Sequence, residues 1–349
     1  MESPLAHVKT LAVRCPNWVG DIVMATPVFE CLRRNLPQAR IFGVLKGSAQ
    51  KILRDSPWFD GFIDGNDKSW AGFQKMRSQL RQARPEAAIL LTNSLRSALT
   101  LRFSGIGTLY GYRREWRAGL LAGGPAISRN GGRITPMPMI DYYLEICRWL
   151  GLEIPADPRP RLFYSNSVRR QAQTVLERHG IREGEFVVGL NPGASFGSSK
   201  CWPPEHFAEL ARLCQQNMGA KVILLSGPGE DDIVQAIIDR TTASVIDLRA
   251  DKIDLEMLKP VVERCNLMIT NDTGPRHYAV AFDVPVVVIM GPTDPRYTEA
   301  NTDRTVVVRK DLECSPCHLK VCPRQHECMR EIKPAEVFSA AETLLSVCA

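Results

Sequence analysis

Asn271-Asp272-Thr273-Gly274-Pro275-Arg276-His277 follows the apolar run Leu267-Met268-Ile269-Thr270 and precedes Tyr278-Ala279-Val280-Ala281. That order reads as a buried strand, a tight loop and a helix start. Such a loop leaves free backbone N–H groups and the positive end of the helix dipole facing outward, which suits a phosphate. Gly274 lets backbone come close to a ligand, Thr273 offers a hydroxyl, and His277 follows one turn later. By themselves Asp272 and Thr273 read first as helix caps.

A second loop carries comparable chemistry. In Pro16-Asn17-Trp18-Val19-Gly20-Asp21, directly after a first apolar run, Gly20 makes room for a substrate and Asp21 falls at a helix start. A carboxylate there is kept ionised by the dipole and can take a proton from an attacking hydroxyl. An Asp cap is the plainer alternative. The third loop, Asn191-Pro192-Gly193-Ala194-Ser195-Phe196-Gly197-Ser198-Ser199-Lys200, has small residues able to wrap oxygen atoms, with Lys200 as the charge. It is no Walker loop, and neither half carries a Gly-x-Gly-x-x-Gly fingerprint after its first strand, which counts against a dehydrogenase.

Three further segments fall just after apolar runs or in the basic half. Ser226-Gly227-Pro228-Gly229-Glu230 puts Glu230 where an acidic group suits ribose hydroxyls, or simply starts a helix. Met290-Gly291-Pro292-Thr293-Asp294-Pro295 makes a turn. Arg96, Arg102 and Gly111-Tyr112-Arg113-Arg114-Glu115-Trp116-Arg117 set arginines among aromatics, a combination that fits phosphates or carboxylates. Separately, Cys314-x2-Cys317-x4-Cys322-x5-Cys328 has metal-like spacing. Four thiolates there would hold zinc, and two disulfides or free thiols fit as well.

The elements that must position these groups alternate along the chain. Runs at 11–13, 41–45 and 87–91 read as buried strands of the first half, with helices over 21–35 and 70–84. Runs at 186–190, 221–225, 267–270 and 285–289 do the same in the second half, separated by helices near 204–217, 229–240, 254–264 and 275–282. This grammar predicts an α/β protein with two doubly wound Rossmann-like domains, 1–165 and 166–349, the second holding the Cys-rich loop 314–328. Ligands belong at the carboxyl ends of the strands, where the motifs lie.

Composition agrees with a soluble globular chain: 349 residues, 44% apolar and 23% charged. No run is long enough for a membrane span, and no signal-peptide core is present. Eleven cysteines in that setting argue for reduced thiols and a cytoplasmic protein. Residues 1–150 hold 21 Lys and Arg against 11 Asp and Glu, whereas 151–349 hold 23 against 27. The first half is therefore built for an anionic partner.

Taken in order, these words resemble the bacterial lipopolysaccharide heptosyltransferase family, glycosyltransferase family nine. The carriers are Trp18-Val19-Gly20-Asp21, Thr92-Asn93-Ser94 with Ser97-Ala98-Leu99, Gly111-Tyr112-Arg113, Arg117-Ala118-Gly119-Leu120-Leu121, Pro192-Gly193-Ala194 with Phe196-Gly197, Lys200-Cys201-Trp202-Pro203, Asn271-Asp272-Thr273-Gly274 with His277, and Gly291-Pro292-Thr293. The likeness spans roughly residues 8–300, and the branch that adds the second heptose is the nearest.

The resemblance implies the GT-B fold, with acceptor on the N-terminal domain and ADP-sugar on the C-terminal one. It implies inverting transfer of heptose from ADP-heptose to the first heptose of an anionic lipid A–Kdo core. Asp21 would be the general base. Ser195, Lys200, Asp272, Thr273, Gly274 and His277 would hold the donor diphosphate, Glu230 the ribose and Ile253 the adenine. Arg96, Arg113, Arg114 and Arg117 would meet the acceptor. It implies no metal and no cofactor, since protein cations can serve the leaving group. Peripheral contact with the cytoplasmic face of the inner membrane would come through the acceptor. Other family members with different acceptors, a nucleotide-sugar-binding protein without turnover, and a nucleic-acid binder are the rival readings; the last leaves the second-half phosphate loops unexplained.

Overall fold

The structure, a computed structural model, describes residues 3–348, the side chain of Arg133 excepted. The chain divides into two compact units, 1–163 with 296–300 and 164–295 with 301–349. In the first unit five strands, β1 (Thr10–Arg14), β2 (Arg40–Leu45), β3 (Gly61–Asp64), β4 (Ala87–Leu90) and β5 (Thr108–Gly111), form a parallel sheet in the order β3-β2-β1-β4-β5. Register runs Leu11 to Ile41 on one side and Leu11 to Ala87 on the other. Its helices are α1 (Val19–Met24), α2 (Thr26–Asn35), α3 (Gly47–Leu53), α4 (Trp70–Ala83), α5 (Leu95–Phe103) and α6 (Met139–Trp149). A two-stranded antiparallel ribbon, β6 (Arg129–Asn130) and β7 (Arg133–Ile134), precedes α6.

The second unit repeats the plan with a parallel six-stranded sheet in the order β10-β9-β8-β11-β12-β13. The strands are β8 (Val187–Asn191), β9 (Lys221–Leu224), β10 (Val245–Asp247), β11 (Leu267–Asn271), β12 (Val286–Ile289) and β13 (Thr305–Val308). Helices α7 (Asn166–Arg178), α8 (Pro204–Met218), α9 (Asp231–Ile238), α10 (Leu258–Glu263), α11 (Gly274–Ala281), α12 (Glu327–Arg330) and α13 (Pro334–Cys348) accompany it. Both sheets are doubly wound, as the alternation of apolar runs and amphipathic stretches predicts. Among the described residues no helix is long and apolar enough to cross a membrane.

Each unit has its own core. In the first, Ala12, Val44, Ile63, Ala88, Leu90 and Leu109 of the sheet pack with Met76, Leu80, Ala98 and Leu101 of the helices. In the second, Leu190, Val222, Ile269 and Val287 pack with Trp202, Phe207, Leu210, Met329 and Phe338. Burying a Val, Leu, Ile, Phe or Met side chain stabilises by roughly 1.5–3 kcal/mol, so these clusters hold the strand ends in place.

Local chemistry explains the boundaries. The single helix expected over 21–35 is two, because Pro27 has no N–H for the Val23 carbonyl. The Thr26 hydroxyl donates to that carbonyl at 2.8 Å instead, and the chain turns at Ala25. Ser69 caps α4 and Ser94 caps α5 through bonds from Gly72 and Ser97 N–H. α8 opens on Pro204 and closes on Gly219 in the left-handed region, φ 63°.

Candidate functional site

In the first unit the loop after β1 leads into α1, and Asp21 is the third residue of that helix. Trp18 occupies the cap position, so Asp21 is not the N-cap. Asp21 is half-buried, and its Oδ1 accepts a hydrogen bond at 3.0 Å from the hydroxyl of Tyr143 on α6. Burial raises the Tyr143 hydroxyl well above a phenol's usual range, and the Asp21 charge reinforces the shift. Tyr143 is therefore a neutral donor at any working pH. It lies in an apolar helical pattern and reads as core from sequence, which is why sequence reasoning passes over it.

Its neighbour extends the network. The Tyr142 hydroxyl donates to Asn93 Oδ1 at 2.9 Å, on the loop after β4. The Tyr112 ring, after β5, stacks on Tyr142 with centroids 4.0 Å apart and donates its hydroxyl to the Tyr142 carbonyl at 2.9 Å. Helix α6 thus ties together loops at the carboxyl ends of β1, β4 and β5, where an open parallel sheet receives its ligand.

The four arginines separate by burial. Arg113 is exposed, Arg114 is half-exposed with its guanidinium 3.4 Å from Glu115, and Arg96 pairs with Asp67 at 3.7 Å. Arg117 departs from the surface role expected of it. It is fully buried, donating from Nε to the Tyr112 carbonyl at 3.0 Å and from Nη1 to the Thr92 carbonyl at 2.5 Å. Gly111 leaves room for that guanidinium, and burial depresses it to about 10. Arg117 braces the loops after β4 and β5 and presents no charge outward.

In the second unit the loops after β8, β11 and β12 meet on Asp272. Lys200 Nζ donates to Asp272 Oδ2 at 2.7 Å and to its carbonyl at 2.9 Å. Arg276 Nη1 lies 2.8 Å from Oδ1, and the Thr293 hydroxyl donates to Oδ2 at 2.7 Å. Burial would raise this carboxyl, but Arg276 and Lys200 overrule it and hold Asp272 far below the usual carboxylate range. Asp272 is therefore an internal counter-ion, not a cap. Thr273 stands at the cap position of α11 without a side-chain cap bond, and Gly274 begins the helix.

The rest of the cluster is ordered around that ion set. His277 is buried, and burial, followed by the neighbouring Arg276 charge, lowers its imidazole to about 3. It is neutral at physiological pH and can offer a hydrogen bond but no charge. Asn271, buried at the end of β11, donates to the Pro192 carbonyl at 2.6 Å and accepts from Trp202 N–H at 3.2 Å, fixing both ends of the Lys200 loop. Sequence opens the motif on Asn271 but gives it no role of its own. Ser195 is exposed on that loop.

Glu230 reaches back to the same loop. A Cβ on Gly193 would meet its carboxyl group, so a larger residue there would displace Glu230. Glu230 Oε2 accepts from Gly227 N–H at 2.6 Å, and burial raises this carboxyl above its ordinary value. Ile253 is half-buried in the loop between β10 and α10.

The Cys-rich segment packs on these loops. Cys314, Cys317, Cys322 and Cys328 line a cavity of about 250 Å³ together with Ser199 and Pro292. All four are free thiols, and burial with the neighbouring thiols pushes Cys328 up to about 11. Among the described residues no three His, Cys, Asp or Glu side chains are grouped to hold a metal ion.

Comparison with known proteins bears on this arrangement. The family model of glycosyltransferase family 9 (heptosyltransferase) matches residues 73–327. The chain is 34% identical over 342 residues to lipooligosaccharide heptosyltransferase 2 of Campylobacter jejuni, covering 95% of this chain and 97% of that protein. It is 27% identical over 343 residues to lipopolysaccharide heptosyltransferase 2 of Salmonella typhimurium, again with 95% and 97% covered. The solved structure of ADP-heptose lipopolysaccharide heptosyltransferase II from E. coli superposes with a TM-score of 0.77 at 25% identity, covering 97% of this chain and 98% of that one.

Proposed function

The chain belongs to glycosyltransferase family 9, the heptosyltransferase family, and from that premise we propose how it works: it moves L-glycero-D-manno-heptose from ADP-heptose to the first heptose of the lipopolysaccharide inner core. The observation that carries the reading is the convergence of Lys200, Arg276, Thr293 and Asp272 at the carboxyl ends of the second sheet. Two cations, Lys200 and Arg276, share one carboxylate. Lys200 has three ammonium hydrogens and gives two to Asp272, so one remains for a ligand oxygen.

In this reading the second unit takes the ADP-sugar. Lys200, Ser195, Thr273, Gly274 and the start of α11 meet the diphosphate, with neutral His277 beside them. Asp272 holds Lys200 in place, Glu230 meets the ribose, and Ile253 lies near adenine. The first unit takes the acceptor, whose phosphates and carboxylates match its surplus of basic residues. Arg96, Arg113 and Arg114 supply charge, and Arg117 braces the loops that carry them.

The reaction is a single inverting displacement. A hydroxyl oxygen of the acceptor heptose bonds to the anomeric carbon as the bond to the phosphate oxygen breaks. ADP leaves with that electron pair, and the hydroxyl proton passes to Asp21. The transition state has oxocarbenium character, so the base acts late and charge develops chiefly on the leaving diphosphate. Fixed cations at that point stabilise it more than they stabilise the ground state. Tyr143 fixes the orientation of the Asp21 carboxylate. The enzyme works in the cytoplasm, meeting the inner membrane through its lipid-borne acceptor.

The test uses purified protein, ADP-heptose and heptosyl-Kdo2-lipid A, with ADP release and product mass measured. One added heptose is expected. Asp21→Asn should lower the rate by about 10²–10⁴-fold while ADP still binds. Transfer to Kdo2-lipid A instead would change the acceptor, and full activity of Asp21→Asn would remove the base.

A further inference from the structure

The cysteine-rich segment has no part in the chemistry above, yet it contacts the loops that hold Asp272. All three polar groups of Ser199, the residue before Lys200, are satisfied by it. Ser199 N–H donates to the Lys320 carbonyl at 3.1 Å and its hydroxyl to the Leu319 carbonyl at 2.5 Å. His326 Nε2 lies 2.7 Å from the Ser199 carbonyl, which can only accept, so the imidazole carries its proton on Nε2. Gly197 completes the contact, because a Cβ there would strike the Lys320 carbonyl.

The other side of the segment holds the loop after β12. Cys317 N–H and His318 N–H donate to the Pro292 carbonyl at 3.1 and 2.8 Å, and the Ser315 hydroxyl donates to the Gly291 carbonyl at 2.6 Å. The next residue is Thr293, which bonds Asp272. One segment therefore fixes the residues immediately before Lys200 and before Thr293. Ser199 is buried, so these bonds are made away from competing water.

We propose that segment 314–328 is a strap that positions Lys200 and Thr293 around Asp272, with Ser199 and His326 as its positioning residues, and that it thereby sets the affinity for the nucleoside diphosphate. The inference rests on the assignment of the donor to the second unit. Without the strap the Lys200 loop, made of small residues, samples more conformations, and each binding event must order it again.

The experiment measures ADP binding by calorimetry on the full chain, together with transfer kinetics and thermal melting. His326→Ala and Ser199→Ala should each weaken ADP by about tenfold, the scale of one lost positioning hydrogen bond. KM for the acceptor should stay within about twofold, since the strap lies in the other unit. His326→Gln, whose amide can donate to the same carbonyl, should recover most of the ADP affinity. Wild-type affinity in His326→Ala and Ser199→Ala overturns the strap. So does a loss of ADP affinity that only follows a lowered melting temperature in all three variants. A wild-type protein that does not bind ADP at all overturns the donor assignment itself, and is told apart by that.

Discussion

Asp21 and Asp272 occupy comparable places in the two units. Each follows a central strand of a parallel sheet, Asp21 in the first turn of the helix after β1 and Asp272 in the loop after β11, at the end where ligands meet such sheets. Their surroundings differ. Asp21 is half-buried and accepts from a neutral phenol. Asp272 is buried between Lys200 and Arg276, with a threonine hydroxyl on the same oxygen as Lys200. The first environment gives the carboxylate a phenol donor, which suits the base role proposed for it. The second commits the carboxylate to holding cations in place, so in the proposed reading the working charge there is the lysine's. In the proposed reading one carboxylate serves as base and the other as scaffold, and the partners decide which.

The largest test of that contrast is removal of each carboxylate. Asp272→Ala removes the buried carboxylate shared by Lys200 and Arg276 and should cost about 3–5 kcal/mol in urea unfolding. Asp21→Ala should stay within about 1 kcal/mol of wild type. Equal costs would break the comparison.

Acid should probe the second site further. His277 has a lowered imidazole, about 3, against an ordinary unfolded value near 6.5. Below pH 6.5 the unfolded chain takes up a proton that the folded chain refuses, so stability falls with falling pH until about pH 3. At pH 5 this amounts to about 2 kcal/mol relative to neutral pH. His277→Asn should be less sensitive by that amount between pH 7 and pH 5 in denaturant titrations, and equal sensitivity would mean the imidazole is charged in the fold.

The smallest effect is expected at Tyr143. Tyr143→Phe keeps the ring and removes the bond to Asp21. A drop of about tenfold in kcat/KM is expected, with the acid limb of the pH–rate profile moved upward because the carboxylate loses a donor. ADP affinity should not change. A rate loss without movement of the acid limb would assign Tyr143 to packing alone.

Legibility in sequence followed burial. Central strands such as Val187–Asn191 and Leu267–Asn271 are buried at every residue, so they stand out as continuous apolar runs. Gly61–Asp64, Thr108–Gly111, Val245–Asp247 and Thr305–Val308 are not marked by sequence: each is a strand of four residues or fewer at a sheet edge, and only Thr305–Val308 carries three successive valines. The motif loops were legible because Gly, Pro, Asn and Asp punctuate strand ends. What Asp272 does was not, since Lys200, Arg276 and Thr293 lie 72, 4 and 21 positions away in sequence.

The sequence alone determined the two doubly wound units, the loops that carry chemistry and the charge asymmetry between halves, because each depends on local periodicity and composition. Only the tertiary structure decided that Asp21 answers to Tyr143, that Arg117 is a brace, that His277 is neutral, and that the cysteine segment holds the Lys200 loop. Those outcomes depend on which distant side chains share a buried space. There, desolvation and a few ångströms of distance fix charge and orientation, and neither can be read from spacing along the chain.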